Sequence, residues 1–261
     1  VGVAAQGRSM KAILIWVYEA LLTAAQHAYA EGGDAKRPAD GLMTLVGYFN
    51  SLRELGGMRR LVEDDVRTRA AKAGERKPLN AVGPHRWLAS RTLNPEPLEL
   101  TSRASTDAVK RAKDLVNQPW SESKQDVLLA SNMISVGVDI PRLGLMVVAG
   151  QPKTTAEYIQ ASSRVGREHR RWPGLVVTCF NLYKPRDRSH YERFASYHGS
   201  FYRFVEATSV TPFSAPALDR GLAGTLVAMT RFADPVLTPN PSASRLPEKP
   251  EVAAEVVRLL G

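Results

Sequence analysis

The sequence predicts an α/β fold, a parallel sheet flanked by helices, with extra N-terminal and C-terminal helices. Three observations lead there. Short apolar runs rich in β-formers alternate with stretches of three-and-four periodicity, the order in which crossover helices cover parallel strands. The run at residues 42–49 is apolar throughout rather than alternating, as a strand covered on both faces must be. A chain of 261 residues, 44% of them hydrophobic, has enough apolar material for one large domain or two small ones.

Apolar residues at Met10, Ile13, Leu14, Val17, Leu21 and Ala25 predict an amphipathic helix over 10–30. The stretch has the length of a membrane span. Lys11, Glu19, Gln26 and His27 interrupt it and no small-residue cleavage site closes it, so it reads as a soluble helix. Gly32, Gly33 and Pro38 break it before the 42–49 strand. Asn50-Ser51 occupies the N-cap position of a helix over 52–73. Residues 74–97, with four prolines and little periodicity, read as an inserted surface loop. Strands follow at 98–101, 126–130, 143–149 and 175–181, with helices at 105–116 and 154–163 between them. Helical, aromatic-rich sequence at 187–206 and a further helix at 217–231 come next. Five prolines from Pro235 to Pro250 suggest a linker. The first residues, Val1-Gly-Val-Ala-Ala-Gln-Gly7, and the last eleven read as an excised fragment with a truncated final element.

A formal net charge of +9 suits a polyanionic partner such as nucleic acid. A single cysteine, Cys179, excludes an intramolecular disulfide and a cysteine-based zinc site within one chain, and fits a reducing cytoplasm. His190 and His198 lie eight apart without a third convergent ligand, which makes no metal site.

Chemistry concentrates in two segments. Leu129-Ala-Ser-Asn-Met-Ile-Ser-Val-Gly-Val-Asp-Ile-Pro141 places small polar residues and Gly137 just after a buried strand, where backbone N–H groups and hydroxyls approach phosphate closely. Asp139 there suits a ribose hydroxyl. Further on, Gln160-Ala-Ser-Ser-Arg-Val-Gly-Arg167 sets two arginines three apart at a helix end. The plain alternative is a solvated basic helix end. For Thr101, Ser102 and Arg103 a strand end with a helix cap is an equal alternative to a contact.

The 131–141 segment resembles helicase motif V, and Gln160 to Arg167 resembles motif VI, Gln-x-x-Gly-Arg-x-Gly-Arg. Leu45-Val-Gly-Tyr-Phe-Asn-Ser51 is similar to motif IV. The chain thus resembles the second RecA-like domain of superfamily 2 helicases. More narrowly, 44–57, 100–103, 162–167 and Phe180-Asn-Leu-Tyr-Lys-Pro-Arg-Asp-Arg-Ser-His-Tyr-Glu192 look like the helicase of the DISARM antiphage system. The resemblance implies an N-terminal helical segment at 1–40, a RecA-like domain at 41–184, a helical extension at 185–231 and a Pro-rich linker with the start of a truncated element at 232–261.

It also implies a site divided between two lobes. Arg167 would be the arginine finger with Arg164 beside it, and Gln160, Gly137 and Asp139 would meet the nucleotide. Thr101, Ser102, Arg103, Ser131 and Asn132 would face the nucleic acid backbone. The cofactors would be ATP and Mg²⁺, held mainly by a first lobe. The partners would be nucleic acid, DNA favoured over RNA, that first lobe, and other defence-system subunits, with no membrane. Two positions depart from the pattern, Ser163 for the first Gly of motif VI and Ser131 or Asn132 for the usual Thr of motif V. Neither Gly-x-x-x-x-Gly-Lys-Ser/Thr nor Asp-Glu-x-His/Asp occurs in the chain, so the isolated chain is expected not to hydrolyse ATP. The rival reading is a non-catalytic nucleic-acid-binding or protein-docking module with the same fold.

Overall fold

Six strands, β1 (Gly2–Ala4), β2 (Leu45–Phe49), β3 (Leu98–Leu100), β4 (Val127–Ala130), β5 (Leu145–Ala149) and β6 (Leu175–Phe180), pair in the order β1-β6-β5-β2-β4-β3, every pairing parallel. The computed structural model describes residues 1–32, 39–76, 87–132, 139–168, 173–207, 211 and 213–260. Five of these strands follow from the apolar runs. The sixth, β1, has three residues, too few to show a period, and joins the sheet by pairing Gly2 with Thr178 and Ala4 with Phe180.

Both faces of the sheet are covered, which is why β2 is apolar throughout. Leu45 and Phe49 face one core with Leu129 and Val147, while Val46 and Tyr48 face the other with Leu128 and Met146, the two-residue alternation of a strand. On the first face lie α1 (Met10–Glu31), capped by Ser9, and α2 (Leu52–Leu61), capped by Ser51, whose Oγ accepts from Glu54 N. A π turn, Val62–Val66, continues α2 into α3 (Arg67–Ala71), where one unbroken helix is expected. On the second face lie α4 (Thr106–Asn117), capped by Ser105, and α6 (Thr155–Ser162), with the short α5 (Trp120–Ser123) after α4.

The amino ends of the strands are tied by buried charge. Arg91, 2% exposed, donates to Leu22 O at 3.1 Å, Met43 O at 2.6 Å and Asp126 Oδ1 at 2.6 Å. Asp126 also accepts from Trp120 Nε1 and Asn94 N. Burial lowers the Arg91 pKa, and the Asp126 carboxylate opposes that shift. Arg142 similarly joins Val116 O, Asp40 and Thr44 Oγ1. Residues 87–97 are therefore not the surface loop expected, because Arg91 and Leu93 are buried. An aperiodic stretch conceals one buried ion pair that holds it inward.

The helix expected over 187–206 is α7 (Pro185–Glu192), α8 (Phe194–Gly199) and a 3₁₀ turn, Phe201–Phe204. Phe201, His198 and Tyr197 pack edge-on or stacked around Tyr158 and one another.

The chain divides into two compact units, Val1–Glu206 and Ala207–Gly261. In the second, α9 (Ala215–Ala233) and α10 (Pro250–Leu260) flank 3₁₀ turns at Pro235–Leu237 and Asn240–Glu248 around a small core of Leu237, Val252 and Val256. The proline-rich stretch expected as a linker is thus wound into 3₁₀ turns. Among the described residues no helix is long and apolar enough to cross a membrane.

Cys179 is fully buried in β6, and burial pushes its thiol up to about 12. It should resist iodoacetamide at pH 8 for as long as the fold persists and react at once in denaturant, as mass spectrometry would show.

Candidate functional site

The carboxyl ends of β3 and β4 gather one group of the polar residues picked out in the sequence. Leu100 pairs with Ala130 across β3 and β4, and Ser131 N donates to Leu100 O at 3.2 Å, so Thr101 and Ser131 are brought together. Both are nearly buried, at 4% and 5% exposure, whereas Ser102, Arg103 and Asn132 are exposed. Thr101 Oγ1 accepts from Arg103 N, and Thr101 O from Ala104 N, which makes a turn at the strand end, while Ser105 caps the helix that follows. The solvent-facing part of this group is therefore Ser102, Arg103 and Asn132. Residues 133–138, with Gly137, lie outside the described residues, as do Arg170, Arg171 and Trp172.

Motif VI leaves the end of α6. Gln160 is exposed on its last turn, and its carbonyl accepts from Ser163 Oγ at 3.2 Å. Ser163 adopts φ −70°, ψ 0°, a conformation open to any residue, so serine in place of glycine causes no strain there. Gly166 differs. Its φ is +70°, its N–H donates to Leu143 O at 2.7 Å, and a Cβ on it would stand 2.4 Å from Gly174 N. Gly166→Ala should lose more than the roughly 1–2 kcal/mol of a left-handed residue, since backbone must also move, and urea unfolding will measure it.

Beyond Gly166, Arg167 turns onto Asp139. Nη1 and Oδ1 are 2.5 Å apart, and the two side chains are 41% and 52% exposed. The residues most sharply singled out in the two motifs, 28 positions apart, thus meet in one ion pair. Such a solvated pair is worth at most about 1 kcal/mol, so a stronger anion can displace the carboxylate. Arg164 is half-buried in the turn that follows α6 rather than on the helix itself.

Among the described basic residues from 184 to 188, each has a partner of its own. Lys184 pairs with Glu54 at 3.2 Å, Arg188 with Glu192 at 2.8 Å, and Arg186 donates to Pro152 O. His198 sits between Tyr158 OH and Phe194 O as a packing residue, and desolvation lowers its pKa. Among the described residues no group of three His, Cys, Asp or Glu side chains is placed to hold a metal.

Three residues quoted in the sequence only within longer stretches prove to be positioning residues. Asp187, 4% exposed, accepts from Gln151 N after β5 and from Asn181 N after β6. Asn50 Nδ2 reaches Ala149 O and Gln151 O, joining β2 to the same loop. Tyr48 OH donates to Glu157 at 2.6 Å, linking β2 to the helix before motif VI. The sole signal for Asp187 is an acid in a first helical turn behind Pro185, which ordinarily means only a favourable dipole.

The helicase conserved C-terminal domain profile matches residues 96–169, from just before β3 through Arg167. Over 245 residues, 94% of the chain, it is 43% identical to the DISARM protein DrmA of Bacillus paralicheniformis. Residues 96–169 thus match a helicase C-terminal domain. The chain spans only 21% of that relative's length. The domain is also 32% identical to the Nucleolar RNA helicase 2-A of Xenopus laevis over 87 residues, 33% of this chain and 11% of that one. Among solved structures, the DUF1998 helicase MrfA bound to DNA and AMPPNP has the same fold, with a TM-score of 0.55 and 15% identity over 84% of this chain and 24% of its own. Within the stretch that matches, Asp139 and Arg167 close on each other beside the amino ends of β5 and β6.

Proposed function

We propose that the domain is the second lobe of an ATP-dependent nucleic acid helicase or translocase, supplying an arginine finger and backbone contacts. The observation that supports it best is the exposed Asp139–Arg167 pair, a guanidinium held beside the amino ends of β5 and β6 by a weak, displaceable partner. Arg167, with Arg164 beside it, would neutralise charge on the transferred phosphoryl group, and Asp139 and Gln160 would meet the nucleotide. ATP and Mg²⁺ would be held mainly by a first lobe carrying the phosphate loop. Ser102, Arg103 and Asn132 would touch the nucleic acid backbone. DNA is favoured because MrfA was captured on DNA, and the likeness to DrmA suggests antiphage defence with other subunits of such a system, in the cytoplasm.

Titrating the full-length protein with labelled single-stranded DNA, single-stranded RNA and duplex at two salt concentrations, with ATP turnover followed in parallel, tests this. Binding that weakens steeply with salt and stimulates turnover is expected. Salt-dependent binding without any turnover would instead favour the non-catalytic module.

A further inference from the structure

A cavity of about 560 Å³ opens between the first turns of α1 and α2, above the carboxyl ends of β2, β5 and β6. Its walls are apolar, with Leu14, Phe49, Met58 and Ala149, while Lys11, Arg53 and Lys184 stand at its border. Asp187 lies at the base, but its two oxygens are committed to Gln151 N and Asn181 N, so it braces the floor. Lys184 touches Glu54 through an exposed pair that phosphate can replace.

The helix bordering the cavity has an unusual composition. Gly56 and Gly57 are adjacent within α2, and glycine is the poorest helix former after proline. Neither has a positive φ, and a Cβ on either would meet nothing within 4 Å. Packing therefore does not require them. What Gly57 secures is space, because it lines the cavity.

We propose that this cavity receives one unstacked nucleobase of a single strand, with Lys11, Arg53 and Lys184 on the neighbouring phosphates. The inference rests on the nucleic-acid reading above and names a contact within it. A strand crossing from Ser102, after β3, and Asn132, after β4, next meets β2, beyond which Ser51 forms the cavity's border. Flat apolar faces and flanking cations are what a base and its phosphates need, and the volume falls within the range of small-ligand sites.

The test uses the full-length protein and single-stranded DNA carrying 2-aminopurine at successive positions. Fluorescence should rise at one position on binding, as that base leaves its neighbours. Gly57→Leu should remove the rise and weaken binding about ten-fold without lowering Tm, since leucine improves the helix. Arg53→Ser, which leaves the helix face open, should keep the rise but flatten the salt dependence. Native affinity in Gly57→Leu, or tight wild-type binding with no position brightening, overturns the cavity proposal alone. Failure of the wild type to bind any strand overturns the nucleic-acid reading, and the cavity proposal with it.

Discussion

Arg167→Ala in the full-length protein should reduce nucleic-acid-stimulated ATP turnover by about 10³-fold or more, the usual worth of an arginine finger. The fold should be spared. Arg167 and Asp139 are both largely in solvent, so losing the pair should shift Tm by no more than a surface substitution does. Arg167→Lys should recover little turnover, because an ammonium lacks the planar fork that grips two phosphate oxygens. Asp139→Asn separates two roles for the carboxylate. If Asp139 mainly restrains the arginine, turnover at saturating ATP should persist, and if it binds the ribose, KM should rise. Wild-type turnover in Arg167→Ala would exclude the arginine-finger role.

The largest loss of stability is expected where buried charge ties the amino ends of β2 and β4. Asp126→Ala leaves Arg91 buried and charged without its carboxylate, and removes the acceptor for Trp120 Nε1 and Asn94 N. Breaking a buried pair in this way costs about 3–5 kcal/mol. Against a typical domain stability of about 5–15 kcal/mol, that brings the fold near its limit. Urea unfolding followed by circular dichroism should show the midpoint falling steeply. Replacing both partners, as Arg91→Met with Asp126→Leu, should recover much of the loss, since no uncompensated charge then remains. A single variant as stable as wild type would show that residues 87–97 are held by apolar contacts such as Leu93 instead.

The sheet was legible because burial on both faces writes itself into sequence as uninterrupted apolar runs. Leu45–Phe49 and Leu145–Ala149 are strands of that kind. Helix starts were legible through Ser51, Ser105 and Thr154, each of which accepts a hydrogen bond from the N–H three residues on. The features missed depend on long-range partners. Nothing local distinguishes Arg91 from a solvated arginine, or Asp187 from any acid behind a proline. The π turn at Val62–Val66 carries no proline and no glycine to announce it. In the site, residue types were readable but geometry was not. Thr101 and Ser131 prove nearly buried, and it is Ser102, Arg103 and Asn132 that face solvent.

The back-to-back contact of Gly166 with Gly174 bears on how the proposed arginine is delivered. Motif VI is pinned on one side by Leu143 O, just ahead of β5, and on the other by the residue before β6. It is in effect riveted to two neighbouring strands, and has little travel of its own. Under the proposed reading, Arg167 reaches a phosphate because the whole lobe swings shut, not because a loop folds over. The arrival of the arginine should then follow the microsecond-to-millisecond clock of hinge closure rather than the nanosecond flicker of a surface turn.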